Sequence, residues 1–327
     1  MTMKNKPTNK DWFLIVARFM HRKMPWLFMP VTSLYHQWLP DKVTVKIGYY
    51  WQLMRADRPI GTFLLMWPTL WALWLANNGA PSLSLITIFL LGTFLMRSAG
   101  CVINDYADRN IDGHVSRTKQ RPLAQKKVSE KEALLLFASL VVMAFFLVLL
   151  LNSFTVMLSV GALAIASVYP FMKRYTYFPQ VVLGAAFAWS IPMAYAASNN
   201  SIPAEAWLLY VSVLMWVLAY DTFYGMVDRK DDIKLGVKST AILFGEADLA
   251  IIAVIQFFFM FGLLLLGLRY ELHWPYYLGW FIAAGLMGYQ FWITRKRKPE
   301  QCFKAFLNNN YVGMAIFTGI VGSFLVR

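Results

Sequence analysis

Nine apolar runs occupy most of the chain, and their length restricts the fold more than any other feature of the sequence. Each run has roughly 17–25 residues, the length that a helix needs to cross the hydrocarbon core of a bilayer. The runs cover residues 60–77, 84–104, 132–151, 154–172, 180–198, 205–226, 249–268, 275–293 and 304–326. Backbone polar groups find no water inside a bilayer, so only helices or closed barrels span it. The sequence predicts an all-α polytopic membrane protein, a bundle of about nine transmembrane helices around a central cavity with Asp-rich motifs on its cytoplasmic side.

The composition supports this class of protein and excludes several others. Hydrophobic residues make up 58% of the chain and charged residues only 15%, whereas soluble domains carry about 25% charged residues. A chain this apolar is neither disordered nor collagen-like. Two cysteines, Cys101 and Cys302, are too few for a disulfide framework. The four histidines are scattered along the sequence, so neither a haem nor a histidine-ligated metal is expected.

The distribution of positive charge predicts the orientation in the membrane. Of the 31 lysines and arginines, 28 lie before the first apolar run or in the loops near 105–131, 173–179, 227–248 and 294–304. These segments alternate with connections that carry almost no positive charge, and positively charged loops stay in the cytoplasm. We therefore expect a multi-pass protein of the bacterial inner membrane with its N-terminus in the cytoplasm and its C-terminus outside. This asymmetry explains the net charge of +14 without nucleic acid as a partner.

Residues 1–54 are expected to form a cytoplasmic or interfacial segment, followed by a membrane domain at residues 55–327. The stretch Trp12–Tyr50 mixes aromatic and basic residues, which is typical of an amphipathic segment lying on a membrane surface. A partly ordered tail is the alternative. Pro25 and Pro30 interrupt the apolar part of this stretch, so no cleavable signal peptide is expected.

Two short acidic stretches repeat the same pattern. The first is Asn104–Asp112 and the second is Asp221–Asp232. Each contains the sequence D-R-x-x-D, and the two copies, at 108–112 and 228–232, are 120 residues apart. They follow the second and sixth apolar runs, so both are expected on the cytoplasmic side. We expect two carboxylate clusters that face each other across a cavity in the bundle; the alternative is a solvated acidic loop.

The spacing of these carboxylates indicates a metal site. If helix continues through each stretch, three carboxylates of each stretch fall on one helical face and repel one another. The C-terminal end of a helix also disfavours anions, so a compensating cation is needed. Oxygen ligands without histidine or cysteine favour a hard ion, Mg²⁺ or Ca²⁺. The carboxylates in question are those of Asp105, Asp108, Asp112, Asp221, Asp228 and Asp232.

Basic residues at the same predicted depth indicate an anionic substrate. Acidic clusters together with several arginines and lysines are typical of a diphosphate site, in which magnesium bridges carboxylates to phosphate oxygens. For the pair Lys173 and Arg174, an anchor at the membrane surface is the alternative. Arg58 precedes the first run and is either an interfacial anchor or a substrate contact. Arg97 lies inside the second run, where an ionised group must face the bundle interior.

Three motifs, in this order and at the ends of predicted helices, carry a resemblance to a known family. They are N-D-x-x-D-x-x-x-D at Asn104–Asp112, Y-x-x-x-K at Tyr169–Lys173 and D-x-x-x-D at Asp228–Asp232. Together they resemble the intramembrane UbiA-type aromatic prenyltransferases, and the likeness extends from Arg55 to the last apolar run. The stretches that begin at Arg58, Arg117 and Tyr220 look like the branch that uses 4-hydroxybenzoate.

The resemblance implies an enzyme that transfers a polyprenyl group from an allylic polyprenyl diphosphate to 4-hydroxybenzoate. The new bond would form at the ring carbon meta to the carboxylate, with release of diphosphate, in ubiquinone biosynthesis. Mg²⁺ would be the cofactor, and the lipid bilayer would hold the prenyl tail. Another aromatic acceptor, of the naphthoate or homogentisate type, remains an alternative. A secondary transporter is the alternative from another class, although it should carry its charges near the bilayer midplane.

The resemblance also implies residue roles. The metal ligands would be Asp105, Asp108, Asp112, Asp228 and Asp232, and Asp221 is a candidate for the base that removes the ring proton. The diphosphate contacts would be Asn104, Arg117, Arg121, Tyr169, Lys173, Arg174 and Lys238. Arg58 and Arg97 are the candidates for the carboxylate of the aromatic acid.

Overall fold

The computed structural model describes residues 41–115 and 118–327, and these belong to two compact units. The first unit extends to Gln52, and its described part is helical: α1 covers Asp41–Leu53 and so ends on the first residue of the second unit. The expected amphipathic stretch lies outside the described residues as far as residue 40. The expected domain boundary at 54/55 stays a prediction.

The second unit consists of helices in every regular element that the structure describes, and no strand occurs in residues 41–115 or 118–327. This confirms the all-α fold class. The helices are α2 (Ile60–Ala76), α3 (Leu83–Ala107), α4 (Glu130–Val148), α5 (Ser153–Met172), α6 (Pro179–Ala188), α7 (Ser190–Asn199), α8 (Ala204–Leu235), α9 (Thr240–Phe244), α10 (Asp248–Arg269), α11 (Trp274–Thr294) and α12 (Pro299–Leu325).

Each of the nine predicted spans coincides with helix in the structure, although the number of strongly apolar spans is smaller. Within the described ranges, six helical segments are long and apolar enough to cross a membrane. α2 is apolar but has only 17 residues. The span predicted at 180–198 consists of two helices, α6 and α7, which meet at Trp189. The chain is therefore a multi-pass membrane protein, and nine is an approximate count.

Three consecutive asparagines of α12 form hydrogen bonds with three different helices. Asn308 accepts a hydrogen bond from Gln290 of α11 at 2.9 Å. Asn309 accepts from the indole of Trp216 of α8 at 2.8 Å, and Asn310 from Trp67 of α2 at 2.9 Å. Successive helical residues point about 100° apart, so one short stretch can reach three neighbours. These bonds satisfy polar groups that would be costly inside a bilayer.

Aromatic side chains pack in the centre of the bundle, next to the three asparagines of α12. Trp216 stacks on Trp71 with ring centroids 5.3 Å apart and on Phe259 at 5.7 Å. Its edge meets Tyr220 at 5.4 Å. All four side chains are buried. This rigid core holds α8 in place, and α8 carries the second acidic stretch on its last four turns.

Candidate active site

A cavity of about 160 Å³ lies where α3, α5 and α8 end and α6 begins. Both acidic stretches contribute to its wall, as the repeated motif predicts. Most of the predicted diphosphate contacts line it as well. The polar lining consists of Asn104, Asp108, Asp112, Thr118, Arg121, Tyr169, Lys173, Gln180, Asp221, Tyr224, Asp228, Asp232, Lys238 and Ser239.

The first acidic stretch does not continue as helix. The expectation that its three carboxylates share one helical face depended on a continuous helix, so it does not hold here. α3 ends at Ala107, Asp108 is its C-cap, and Asp112 opens a short 3₁₀ turn. The backbone N–H of Asp112 donates to the carbonyl of Asp108 at 2.8 Å, which turns the chain back toward the cavity. Anions are disfavoured at a helix C-terminus, and Gly113 is a poor helix former, so the helix stops here.

Asp105 lies apart from the cavity-lining carboxylates. Its side chain is buried and pairs with Arg55, whose Nη2 is 2.8 Å from Oδ1, and with Arg121 Nη1 at 3.0 Å. The same Nη1 of Arg121 is 2.7 Å from Asp112 Oδ2. Burial lowers the pKa of Arg121, but the carboxylates of Asp105 and Asp112 more than offset this and raise the pKa above the ordinary arginine value. Arg121 is therefore a fixed positive charge on the cavity wall.

Asp108 has one oxygen that is satisfied and one that is not. Oδ2 contacts the ammonium of Lys173 and accepts a hydrogen bond from Asn104 Nδ2 at 3.3 Å. Oδ1 is buried and has no hydrogen-bond partner among the described residues. Burial raises the pKa of Asp108, Lys173 lowers it, and the net shift is upward. A buried carboxylate oxygen without a donor is a suitable ligand for a cation.

The second acidic stretch forms a regular face. α8 continues to Leu235, so Asp221, Asp228 and Asp232 stand at i, i+7 and i+11 on one helix, and all three line the cavity. α8 ends where Gly236 adopts φ +68°, a left-handed conformation that suits glycine. The backbone N–H of Lys238 then donates to the carbonyl of Lys173 at 3.0 Å, which closes the rim of the cavity.

The remaining predicted diphosphate contacts divide into three groups. Tyr169, Lys173 and Lys238 line the cavity, and the ammonium of Lys238 donates to the carbonyl of Tyr175 at 3.2 Å. Arg174 donates to the carbonyl of Ala107, the last residue of α3, and is not part of the lining. Arg117 lies outside the described residues.

Sequence reasoning missed three polar residues of the lining, Thr118, Gln180 and Ser239. The side-chain oxygen of Gln180 accepts the backbone N–H of Thr240 at 3.1 Å, which fixes the orientation of its amide. Ser239 caps α9 by accepting the N–H of Ile242. No acidic or basic motif marks these residues. A serine before a short apolar stretch is a capping signal, but it says nothing about a cavity.

The two candidate arginines for an aromatic acid occupy very different places. The side chain of Arg58 is 80% exposed, and its nearest acidic partner is Asp57 at 3.5 Å. Arg97 packs against Gly61, where an added Cβ would lie 2.3 Å from Nη2. Its Nη1 donates to Cys101 Sγ at 2.9 Å, and its Nε is buried without a hydrogen-bond partner in the described part of the chain.

Arg97 is not part of the cavity lining. Its charge interacts over a longer range with Tyr169 and Tyr224, which line the cavity, and with Tyr220. The hydroxyl of Tyr220 is itself buried with no hydrogen-bond partner among the described residues. Buried polar groups without a partner in the described ranges, such as Arg97 Nε and the Tyr220 hydroxyl, suit a small polar ligand.

The donor set fits a hard divalent cation that shares its ligands with a substrate. Within residues 41–115 and 118–327, no three carboxylate, histidine or cysteine side chains converge into a complete cage. The carboxylates of the first acidic stretch form one wall of the cavity and those of the second stretch form another. Oδ1 of Asp108 is buried and has no hydrogen-bond partner among the described residues. Mg²⁺ commonly takes one or two carboxylates and completes its octahedron with water and phosphate oxygens. The site therefore suits Mg²⁺ together with a diphosphate.

A family model and similar curated proteins agree on the family of this chain. A sequence model described as the UbiA prenyltransferase family matches residues 65–315. The chain is 59% identical over 276 residues to the 4-hydroxybenzoate octaprenyltransferase of Pseudomonas syringae, which covers 84% of this chain and 93% of that protein. It is 60% identical over 270 residues to the protein of the same name from Stutzerimonas stutzeri, covering 83% and 91%.

Solved structures share the fold. A UbiA homolog from Aeropyrum pernix, solved in the apo state, superposes with a TM-score of 0.72 and 25% identity, covering 80% of this chain and 97% of that one. A UbiA homolog from Archaeoglobus fulgidus, solved with GPP and Mg²⁺ bound, gives a TM-score of 0.64 at 16% identity, covering 85% and 100%. At that identity the likeness concerns the arrangement of helices.

Proposed function

The chain belongs to the UbiA prenyltransferase family, and we propose that it transfers a polyprenyl group from an allylic polyprenyl diphosphate to 4-hydroxybenzoate. The new bond forms at the ring carbon meta to the carboxylate, and diphosphate is released. The reaction is a step in ubiquinone biosynthesis. The observation that carries the proposal is one cavity whose two walls bear the repeated acidic motif, with Arg121 and Lys173 between them.

The enzyme depends on a divalent metal, and we assign Mg²⁺. Asn104, Asp108 and Asp112 would hold it from one wall, and Asp228 and Asp232 from the other. When bound, Mg²⁺ acts as a Lewis acid that stabilises the negative charge of the departing diphosphate. Asp105 was expected among the ligands, but its carboxylate faces Arg55 and Arg121. We assign it the role of holding Arg121 toward the cavity.

The basic residues neutralise the leaving group. Arg121 is fixed between two carboxylates, and Lys173 and Lys238 line the same cavity. As the C–O bond of the allylic diphosphate breaks, its electron pair leaves with the diphosphate oxygen, and these fixed charges stabilise it without reorganisation. Arg117 is proposed to join this group on the basis of its sequence motif alone.

Ring chemistry requires one proton acceptor. The ring carbon ortho to the phenol oxygen attacks the allylic carbon and forms the C–C bond, after which that ring carbon must lose its proton. Asp221 lines the cavity about two turns of helix before Asp228 and about three before Asp232, and we assign it as the acceptor. This separation lets a carboxylate act as a base without being a metal ligand.

Arg97 is the better candidate for binding the carboxylate of 4-hydroxybenzoate. A benzoate carboxylate would supply the acceptor that the buried Nε lacks. Arg58 is exposed and lies beside Asp57, so it offers no enclosed site. The tyrosine hydroxyls near Arg97 would surround a small aromatic ring.

We expect Arg97→Lys to raise the KM for 4-hydroxybenzoate by about ten- to a hundredfold, because lysine cannot make a bidentate contact and a charge-assisted hydrogen bond is lost. The KM for the prenyl diphosphate should change little. Arg58→Lys is the matched control and should leave both KM values unchanged. Initial rates with each substrate varied separately decide the matter. A selective rise for the prenyl diphosphate in Arg97→Lys would contradict the assignment.

A product assay tests the function itself. Membranes containing the chain are incubated with Mg²⁺, octaprenyl diphosphate and either 4-hydroxybenzoate, 1,4-dihydroxy-2-naphthoate or homogentisate. We expect a prenylated product, identified by mass spectrometry, with 4-hydroxybenzoate. Preference for one of the other acceptors would move the chain to another branch of the family, and no product with any acceptor would refute prenyl transfer.

We also propose an inner-membrane location with a cytoplasmic N-terminus and an outer C-terminus, supported by the positive charge of alternate loops. Lys126 is exposed in the loop between α3 and α4, which carries several of these charges. In Lys126→Cys, a membrane-impermeant thiol reagent should label inverted vesicles and leave intact spheroplasts unlabelled. Both natural cysteines are buried, so their background should be low. Labelling of intact spheroplasts would show that this loop lies outside the cytoplasm and that the proposed orientation is wrong.

A further inference from the structure

The arginine of each D-R-x-x-D repeat points away from the cavity and pairs with the acid that begins the next long helix. Arg109 Nε lies 3.1 Å from Glu130 Oε2, at the first residue of α4. Arg229 Nη2 lies 2.5 Å from Asp248 Oδ2, at the first residue of α10. Neither arginine lines the cavity. The repeated arginine therefore contacts the scaffold, although the residue before it faces the cavity.

The two pairs differ sharply in their surroundings. Glu130 is 57% exposed, and Arg109 has two further contacts, a hydrogen bond to the carbonyl of Tyr106 at 2.8 Å and the ring of Tyr106 at 4.3 Å. Asp248 is fully buried. It also receives Arg297 Nε at 2.9 Å, so one carboxylate serves two guanidinium groups.

Arg229 depends on Asp248 as its ion-pair partner among the described residues. The Nε of Arg229 is buried and has no hydrogen-bond partner in the same part of the chain. Without the carboxylate of Asp248, the side chain would keep its charge but lose its counter-ion, beside a second guanidinium that has lost the same partner. On α8, Asp232 stands three residues after Arg229, and side chains at i and i+3 are neighbours on a helix.

We propose that Asp248 is a positioning residue that holds Arg229 away from Asp228 and Asp232 and so prevents Arg229 from competing with a divalent cation for these carboxylates. This inference rests on the proposed function in that the two aspartates belong to the metal–diphosphate site. In the absence of Asp248, Arg229 pairs with Asp232 and competes with the cation. In the first repeat the exposed Glu130 contributes little, because Tyr106 also holds Arg109.

The test measures metal binding directly. Mn²⁺ is titrated into the purified full-length protein in detergent, at a fixed concentration of geranyl thiolodiphosphate, and free Mn²⁺ is followed by electron paramagnetic resonance. Asp248→Asn should raise the Mn²⁺ dissociation constant by about tenfold. The double variant Asp248→Asn/Arg229→Gln removes the competing arginine and should return the constant to within about threefold of the unsubstituted protein.

Two further variants separate this mechanism from a loss of stability. Arg229→Gln alone keeps Asp248 paired with Arg297 and should bind Mn²⁺ within about threefold of the unsubstituted protein, and Glu130→Gln should do the same. Thermal unfolding is recorded for every variant. A lower Tm for Asp248→Asn with an unchanged Mn²⁺ constant would overturn the proposal, and so would a double variant that binds no better than Asp248→Asn. If Asp248→Asn does not fold, a tenfold loss of binding in Arg229→Gln would overturn it.

Asp232→Asn in the same titration distinguishes a failure of this inference from a failure of the proposed site. It should weaken Mn²⁺ binding whatever the role of Asp248. If it does so while Asp248→Asn has no effect, only the positioning role is refuted. If Asp232→Asn binds Mn²⁺ normally, the assignment of the second acidic stretch to the metal site is refuted as well.

Discussion

Asp228→Asn should lower kcat by at least about a hundredfold, because it removes a charge that is preorganised for the metal–diphosphate site. The change preserves the shape of the side chain, and α8 should keep its helix to Leu235. Asp108→Asn should cause a loss of the same order from the opposite wall, where Oδ1 is buried without a hydrogen-bond donor in the described residues. Prenylated 4-hydroxybenzoate formed per minute by purified protein is the measurement.

Asp231→Asn is the matched control for this prediction. Asp231 is the neighbour of Asp232 on the same helix, carries the same charge and does not line the cavity. Its activity should stay within about twofold of the unsubstituted protein, because a half-buried charge that does not line the cavity contributes little to the metal–diphosphate site. A hundredfold loss in Asp231→Asn, or near-normal activity in Asp228→Asn, would contradict the site.

Removal of divalent cations should reduce turnover to background. The carboxylates on the two walls form no complete cage among the described residues, so the metal is held by few protein ligands and should be lost to a chelator. Mg²⁺ should restore the rate. Ca²⁺ should restore it poorly, since it prefers six to eight oxygen ligands and this site offers fewer. Turnover is measured in membranes treated with excess EDTA before each metal is added.

The opposite result would be turnover that does not depend on a divalent cation. Full turnover in excess EDTA would mean that Arg121, Lys173 and Lys238 alone stabilise the leaving diphosphate. The acidic stretches would then need another explanation, such as holding those cations in place. A rate restored equally by Ca²⁺ would show that the hard-ion prediction was right and the choice of Mg²⁺ too narrow.

Much of the fold could be predicted from the sequence because a bilayer imposes simple rules. Long apolar runs had to be helices, and every predicted span coincides with helix. The break at Trp189 between α6 and α7 carries no glycine, and its only local hint is Pro192 three residues later. The polar character of α12 depends on partners in α2, α8 and α11, which hydropathy along one helix does not reveal.

The site could be predicted in part, for a related reason. The repeated D-R-x-x-D identified both acidic walls because its spacing is local. The place of Asp105 could not be read from spacing, since its partner Arg55 lies 50 residues away in sequence. The sequence left both Arg58 and Arg97 as candidates for the aromatic acid, and burial separates them. The cluster of Arg229 and Arg297 around the buried carboxylate of Asp248 depends wholly on tertiary contacts.

The central claim is that the two acidic stretches form one metal–diphosphate site, and Mn²⁺ binding tests it most directly. The protein is titrated with Mn²⁺ with and without geranyl thiolodiphosphate, as the unsubstituted chain, Asp108→Asn and Asp228→Asn. We predict that the diphosphate tightens Mn²⁺ binding in the unsubstituted chain and that each substitution, on its own wall, removes most of this gain. A shared site would be contradicted if the diphosphate did not change the Mn²⁺ affinity of the unsubstituted chain. It would also be contradicted if either substitution left the gain in affinity unchanged.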